Sequence, residues 1–362
     1  MAILIAEPMF QTFMVGIVLG TILLFSLRKK HSGETLTLQT TQELKGFAIL
    51  AIVLGHIGYS LFPAQGFLFP LSVFAGMGVD LFLFLSGFGL TFSQIQKSLS
   101  CKDFYKKRLG KVFFSLWCVL LIFFLLDFFV LHKSYSLSEV ILSFLGIFSR
   151  ADLFQNINSP LWYITFILFY YLLFPIFFKR KNPALSALAL FLVTWVVLQQ
   201  AIPVDPAVKN LYSLHLFAFP LGVIFAGYWP QISHFLKIKK KHLNSLIVIL
   251  STVCLWYFGI HSGVGKGVFL EQGISLLLVF FTLTIFILKR FEFRFLSLLG
   301  IYSYEIYLLH WPLLSRYDLL YPYLPASIAT VGYIGIFVVL GMGLNAFLNI
   351  FYKKLGATSP KS

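Results

Sequence analysis

The chain has 362 residues, of which 59% are hydrophobic and 11% are charged, and its mean hydropathy is +0.89. Soluble domains average about 45–50% apolar and about 25% charged residues, so this composition excludes an ordinary soluble enzyme, a disordered chain and a secreted disulfide scaffold. The net charge is +15. The basic residues stand in short loops between apolar segments and accompany no nucleic-acid-binding motif, so we expect no nucleic-acid partner.

Apolar segments divide the chain along its whole length. A membrane-spanning helix needs about 20 predominantly apolar residues. Eleven segments meet this criterion, at about 8–27, 44–62, 73–93, 110–131, 161–178, 183–201, 211–228, 243–260, 270–288, 296–314 and 326–350. The shorter stretch 137–148 is more typical of a re-entrant or interfacial helix. The first segment lacks a small-residue cleavage site, which favours a retained helix over a signal peptide. The sequence therefore predicts an all-α polytopic membrane protein.

The loop charges predict an orientation for these eleven helices. Loops after odd-numbered helices, together with the C-terminal tail, carry 23 of the 28 Lys and Arg residues, and the other loops carry 5. Cytoplasmic loops carry the excess of basic residues. We therefore expect the N-terminus outside and the C-terminus in the cytoplasm.

Ionisable residues at membrane depth are costly and are functional candidates. Six stand at membrane depth: His56, Asp80, Asp127, His215, Glu305 and His310. With about 1.5 Å of rise per residue, His56, Asp80 and His310 fall at similar depths. A histidine near a carboxylate can act as a general base, although such a polar layer can equally tie helices together. Asp127 and His215 fall near the outer boundary, where we expect solvent.

Helical spacing relates these candidates to other polar residues. Lys45 precedes His56 by eleven residues, which places both on one helix face about 16 Å apart. This pattern suits an anionic cofactor, although a lysine at a helix end also serves as a topology signal. Tyr307 and His310 share a stripe of the tenth helix. Arg108 and Lys111 belong to a basic run that could bind phosphate groups. The three cysteines lack metal or disulfide spacing, and we expect no metal.

Four blocks of sequence resemble the membrane-bound acyltransferase 3 family, whose members O-acetylate cell-surface polysaccharides and related glycans. They are 44–56 (LKGFAILAIVLGH), 78–88 (GVDLFLFLSGF), 159–163 (SPLWY) with 170–175 (YYLLFP), and 299–312 (LGIYSYEIYLLHWP). Their order and spacing resemble the family pattern over about 44 to 350. The resemblance implies a ten-helix acyltransferase domain at 44–352, preceded by an extra transmembrane helix within 1–43 and followed by a cytoplasmic tail at 353–362.

The resemblance also implies a donor and its binding residues. Acetyl-CoA or another acyl-CoA would be the cytoplasmic co-substrate, His56 the essential catalytic residue, and Lys45 with Arg108 and Lys111 the residues that hold the donor. Lys45 stands where Arg is commoner in the family, so a point charge replaces a bidentate phosphate contact. Lys111 likewise replaces the second Arg of an Arg-x-x-Arg pattern. The glutamate pair that often follows the PLW motif is absent after Trp162.

These observations predict an O-acyltransferase in the cytoplasmic membrane of a bacterium. His56 would act as general base on a hydroxyl of a surface polysaccharide or lipid-linked sugar. Asp80 would orient His56, and Tyr307 or His310 would donate to the oxyanion. A covalent acyl intermediate on His56, or less favourably on Ser86, is the alternative route. A flippase for lipid-linked glycans, or an acyltransferase for a lipid or small molecule, is the alternative function.

Overall fold

The computed structural model describes residues 4–30, 36–58, 65–150, 159–238, 241–261 and 267–354. Within them the fold is helical apart from one short pair of strands. The elements are α1 (Pro8–Phe25), β1 (Leu27–Lys29), α2 (Leu38–His56), α3 (Val73–Gln96), α4 (Cys101–Phe129), α5 (Leu137–Phe144), α6 (Trp162–Phe177), α7 (Pro183–Gln199), α8 (Pro206–Leu214), α9 (Ala218–Gly227), α10 (Trp229–Ile238), α11 (Lys241–His261), α12 (Val268–Leu288), β2 (Phe291–Phe293), α13 (Arg294–Ile301), α14 (Ser303–Ser315) and α15 (Ala326–Lys354).

Every predicted apolar segment contains a helix, but among the described residues fewer than the eleven predicted spans are long and apolar enough to cross a membrane. In the part of the chain described, eight helical stretches are long and apolar enough to cross a membrane. This agrees with an integral membrane protein. Of the other three segments, α2 begins with polar residues, α7 has 17 residues, and 296–314 is divided between α13 and α14. The count of eleven spans and their orientation remain predictions.

Two predicted segments are broken into two helices each. The segment 211–228 divides at His215, which follows α8, and the segment 296–314 divides at Tyr302, which follows α13. The Ser303 hydroxyl donates to the carbonyl of Gly300 at 3.0 Å across the second break. The end of the predicted second segment at 59–62 and residues 355–362 of the predicted tail lie outside the described residues. The stretch around 137–148 forms the short helix α5, which begins with a Ser136–Glu139 capping box.

The core is built around α2 and α3, which pack against each other. The opposite side of α2 packs on α13, and α3 packs on α9 and α12. At the α2–α13 crossing the backbones nearly touch, because a Cβ atom at Gly46 would lie 1.8 Å from the carbonyl oxygen of Leu296. A Cβ at Gly300 would lie 1.7 Å from the carbonyl oxygen of Gln42. Small residues permit such approaches in membrane helix pairs, and this one brings α2 beside α14.

The strands β1 and β2 connect the end of α1 to the segment before α13. They pair antiparallel, with Arg28 opposite Glu292, and the two side chains form an ion pair at 2.7 Å. Beside them, Lys289 donates to Glu43 of α2 at 2.6 Å, and both side chains are buried. Burial lowers the pKa of Lys289 below its ordinary value, although Glu43 beside it acts to raise it.

Candidate active site

The centre of the candidate site is a pair of histidines from α2 and α14. His56 Nδ1 lies 2.8 Å from His310 Nε2, and the two rings are nearly parallel, with 5.1 Å between their centroids. His310 is fully buried, whereas His56 keeps partial exposure. The indole of Trp311 meets the His56 ring edge-on at 5.7 Å. The two histidines, for which the sequence predicts similar depths, are thus in direct hydrogen-bond contact.

The hydrogen-bond partners of His310 assign the protons on both rings. His310 Nδ1 lies 2.8 Å from the carbonyl oxygen of Tyr307, and a carbonyl only accepts, so Nδ1 carries the hydrogen. Burying a charge is costly, so His310 is neutral and its Nε2 is an acceptor. His56 Nδ1 then carries the hydrogen that is donated to His310. The Nε2 atom of His56 keeps its lone pair, which is the state that a general base requires.

A cavity of about 280 Å³ lies between α2, α3, α4, α6, α14 and α15. On α2 its wall ends at Ile52, one helical turn before His56, and on α14 it ends at Tyr307, three residues before His310. Ser86 and Tyr163 also line it. The cavity therefore approaches the histidine pair from the side on which α2 begins.

The other end of the cavity is basic. Lys45, Arg108 and Lys111 line it together with the carboxylate of Glu305, and these groups are close enough to interact electrostatically. Lys111 is exposed, and Lys45 and Arg108 are partly exposed. The three cations predicted from two distant segments are thus in one place, and a single carboxylate leaves an excess of positive charge there.

Glu305 belongs to a polar strip that the sequence reasoning missed. Its side chain is 6% exposed and accepts from Asn345 Nδ2 at 3.4 Å, while Asn345 accepts from Asn349 at 2.9 Å. All three residues line the cavity. Two asparagines four residues apart in an apolar helix share one face, and that spacing could have indicated a polar wall.

The hydroxyl of Tyr307 has a different partner from the one predicted. It donates to the carbonyl oxygen of Pro160, just before α6, and its ring meets that of Tyr163 edge-on at 5.6 Å. The Tyr307 hydroxyl, which was expected to donate to an oxyanion, therefore donates to a backbone carbonyl instead. Tyr307 joins α14 to the start of α6 at the inner end of the cavity.

Asp80 also has different partners from the one predicted. Its Oδ1 atom lies 2.7 Å from His215 Nδ1, and its Oδ2 atom accepts from the hydroxyl of Ser275. His215 is 5% exposed and stacks on Trp162, so the expectation that it is solvated was wrong. The structure places Asp80 in a pair with His215 of the α8–α9 break, while His56 pairs with His310.

Asp127 was likewise expected in solvent and is fully buried. It forms an ion pair with Arg316 and accepts from the hydroxyls of Tyr135 and Tyr317. Arg316 directly follows the last residue of α14, the helix that carries His310. This cluster therefore fixes the end of α14 against α4. The predicted position of Asp127 near the outer membrane boundary gave no indication that its side chain is buried in such a cluster.

Comparison with known proteins identifies the family. The model of the acyltransferase 3 family, an acyltransferase domain, matches residues 44–348. A peptidoglycan O-acetyltransferase, OatA of Listeria monocytogenes serovar 1/2a, is 25% identical over 319 residues, which cover 75% of this chain and 48% of that protein. The chain thus spans about half the length of this relative. No solved structure matches. Among the described residues, no group of three or more His, Cys, Asp or Glu could hold a metal ion. The chain therefore belongs to the acyltransferase 3 family.

Proposed function

We propose that this protein transfers an acetyl or other short acyl group from acyl-CoA to a hydroxyl of a cell-surface glycan. The observation that carries the proposal is the hydrogen bond between His56 Nδ1 and His310 Nε2, which leaves His56 Nε2 free to act as a base, one helical turn beyond a cavity with a basic end. The name of the relative from Listeria supports an O-acetyl group and a glycan acceptor. The charge pattern of the loops supports donor entry from the cytoplasm and acceptor entry from outside, in the cytoplasmic membrane of a bacterium.

The basic end of the cavity suits the phosphate groups of the donor. Arg and Lys side chains bind phosphate through charge-assisted hydrogen bonds, and Arg108 adds the planar fork that a lysine lacks. Lys45 and Lys111 supply point charges beside it. In this proposal the acyl-bearing arm extends from these cations along the cavity toward Ile52, which brings the thioester beneath His56.

The proposed reaction begins with proton removal by His56. Its Nε2 atom takes the proton of the acceptor hydroxyl as the oxygen attacks the thioester carbonyl. The C–O bond forms, the C–S bond breaks, and the proton held by His56 passes to the departing thiolate of CoA. His310 is a positioning residue in this scheme, because its Nε2 accepts from His56 Nδ1 and holds the required tautomer. Asp80 acts on His215 and not on the reacting atoms.

A two-step route would place the acyl group on the protein first. Ser86 lines the cavity, so it is within reach of the donor, and His56 Nε2 is itself a nucleophile. Incubation of the purified protein with radiolabelled acetyl-CoA and no acceptor separates the routes. Direct transfer predicts no protein-bound label, whereas label that persists in Ser86→Ala and disappears in His56→Ala would assign the intermediate to His56.

The decisive experiment is proton NMR of the surface polysaccharide from a deletion strain. The strain is complemented with the wild-type chain or with His56→Ala at matched membrane levels. The proposal predicts O-acetyl signals only with the wild type. Equal acetylation in every strain would exclude polysaccharide and direct the search to lipid or small-molecule acceptors. Loss of the polymer from the surface, restored by His56→Ala, would instead identify a flippase.

A further inference from the structure

The helix α1 precedes the residues matched by the family model, which begin at residue 44. The residues of α1 are exposed or only partly buried, apart from Val15 and Leu19, which are buried. An appended anchor helix would need no more than this contact. However, polar side chains in its first turns bond two separate segments of the acyltransferase domain, and each segment leads to one member of the histidine pair.

The first connection leads to His56. Thr12 Oγ1 accepts from the backbone N–H of Leu68 at 2.9 Å. Leu68 has φ +54°, a left-handed conformation that costs energy for a residue with a side chain and needs support from its surroundings. A Cβ at Gly58 would lie 2.7 Å from the carbonyl group of Leu68. The backbone of Leu68 therefore packs closely against Gly58, two residues after His56.

The second connection leads to His310. Gln11 Oε1 accepts from both the backbone N–H and the hydroxyl of Ser327, at 3.0 and 2.6 Å. Ser327 lies in the first turn of α15, where backbone N–H groups have no partner inside the helix. Further along α15, Phe337 meets the ring of His310 edge-on at 6.4 Å between centroids. Gln11 thus caps the helix that packs behind His310.

The opposite end of α1 is fixed as well. The strand β1 follows the helix directly and pairs with β2, and the Arg28–Glu292 ion pair joins the two strands. Because α1 is bonded to the rest of the protein at both ends, the helix cannot shift along its own axis. The side chains at its first turns therefore have defined positions relative to α2 and α15.

We infer that α1 is a positioning element of the catalytic centre, in which Thr12 supports the segment beside His56 and Gln11 supports the helix behind His310. The inference rests on the proposed function for its activity readout. Neither residue touches the reacting atoms. Their removal loosens the frame that holds the His56–His310 hydrogen bond, and it leaves the distant basic end of the cavity unchanged.

The test compares Thr12→Val with Thr12→Ser and with Thr21→Val in the full-length protein in nanodiscs. Valine keeps the shape of threonine and removes the acceptor, and serine restores it. Thr21 is the matched control, because it is an exposed threonine of the same helix whose hydroxyl bonds only within α1, to Ile17. Two readouts are used: hydrogen–deuterium exchange of residues 65–71, and kcat and KM for acetyl-CoA.

We expect Thr12→Val to accelerate exchange at 65–71 and to lower kcat about fivefold, the factor that corresponds to one net hydrogen bond of about 1 kcal/mol. The KM for acetyl-CoA should not change, and Thr12→Ser and Thr21→Val should match the wild type. Gln11→Leu should lower kcat by a similar factor through α15.

Three results would overturn the inference. In the first, Thr12→Val has the same exchange rate and the same kcat as Thr21→Val. In the second, KM for acetyl-CoA rises by as large a factor as kcat falls. In the third, Thr12→Ser loses as much kcat as Thr12→Val. If the wild type itself transfers no acyl group from acetyl-CoA, the proposed function fails. The exchange comparison then still tests whether Thr12 holds the segment 65–71.

Discussion

The hydrogen bond between His56 Nδ1 and His310 Nε2 has a consequence that can be measured directly. His310→Phe keeps an aromatic ring of similar volume and removes the acceptor. The Nδ1–H of His56 would then face an apolar ring. His56 can avoid this by moving its proton to Nε2, which removes the lone pair from the atom that acts as general base in the proposed reaction.

The size of the effect follows from the cost of the lost partner. A buried donor without an acceptor costs about 1–3 kcal/mol, which corresponds to a factor of about 5 to 150 in a population. Only that smaller fraction of the enzyme would keep the competent tautomer, so kcat should fall by about 5- to 150-fold. Because the basic end of the cavity lies away from the histidine pair, KM for acetyl-CoA should change little.

The assay is acyl transfer by the purified protein in nanodiscs, with release of free CoA as the signal. His310→Gln provides the rescue, since its side-chain oxygen can accept from His56 Nδ1, and it should retain more activity than His310→Phe. His261→Leu is the matched control. His261 is exposed and also bonds a carbonyl of its own helix, at 2.8 Å from Tyr257, and its loss should have no effect.

Two results would refute the tautomer assignment. Wild-type activity in His310→Phe would show that His56 needs no partner at Nδ1. Equal losses in His310→Phe and His310→Gln would show that the imidazole of His310 matters for its shape or its own proton, and not as an acceptor.

Three other variants test separate parts of the structure. Asp80→Asn should lower the free energy of unfolding by about 1–3 kcal/mol, because His215 loses a charged partner, and kcat of the folded fraction should not change. A melting curve in detergent measures the loss of stability, and a lower kcat at wild-type stability would contradict the pairing of Asp80 with His215. Lys45→Met should raise KM for acetyl-CoA by about tenfold or more, because a hydrogen bond to a charged group contributes about 1.5–3 kcal/mol, and steady-state kinetics that show an unchanged KM would remove Lys45 from the donor site. Gly46→Ala should cost at least about 1–3 kcal/mol from overpacking, since its Cβ would lie 1.8 Å from a carbonyl oxygen of α13. Gly16→Ala, where a Cβ would meet nothing within 4 Å, is the control, and equal thermal stability of the two variants would show that α2 and α13 are less closely packed.

Much of this protein follows from its sequence, because a membrane imposes simple requirements. Apolar runs of sufficient length must be helices, since backbone groups in hydrocarbon need internal partners. Ionisable residues in those runs are costly and therefore informative. His56, Asp80 and His310 are candidates for this reason from the amino-acid sequence alone, whereas the donor-binding role of Lys45 and Arg108 is what the resemblance to the family implies.

The pairing of those residues is a property of the tertiary structure alone. Helical periodicity fixes the face on which a side chain lies, but not the helix that meets that face. The sequence pairs Asp80 with His56, but in the structure Asp80 bonds His215, because the break between α8 and α9 brings the His215 ring beside α3. His56 meets His310 because Gly46 allows α2 to approach α13 closely. The sequence by itself determined which ionisable groups stand in the apolar segments, and helix packing decided which of them are hydrogen-bonded to one another.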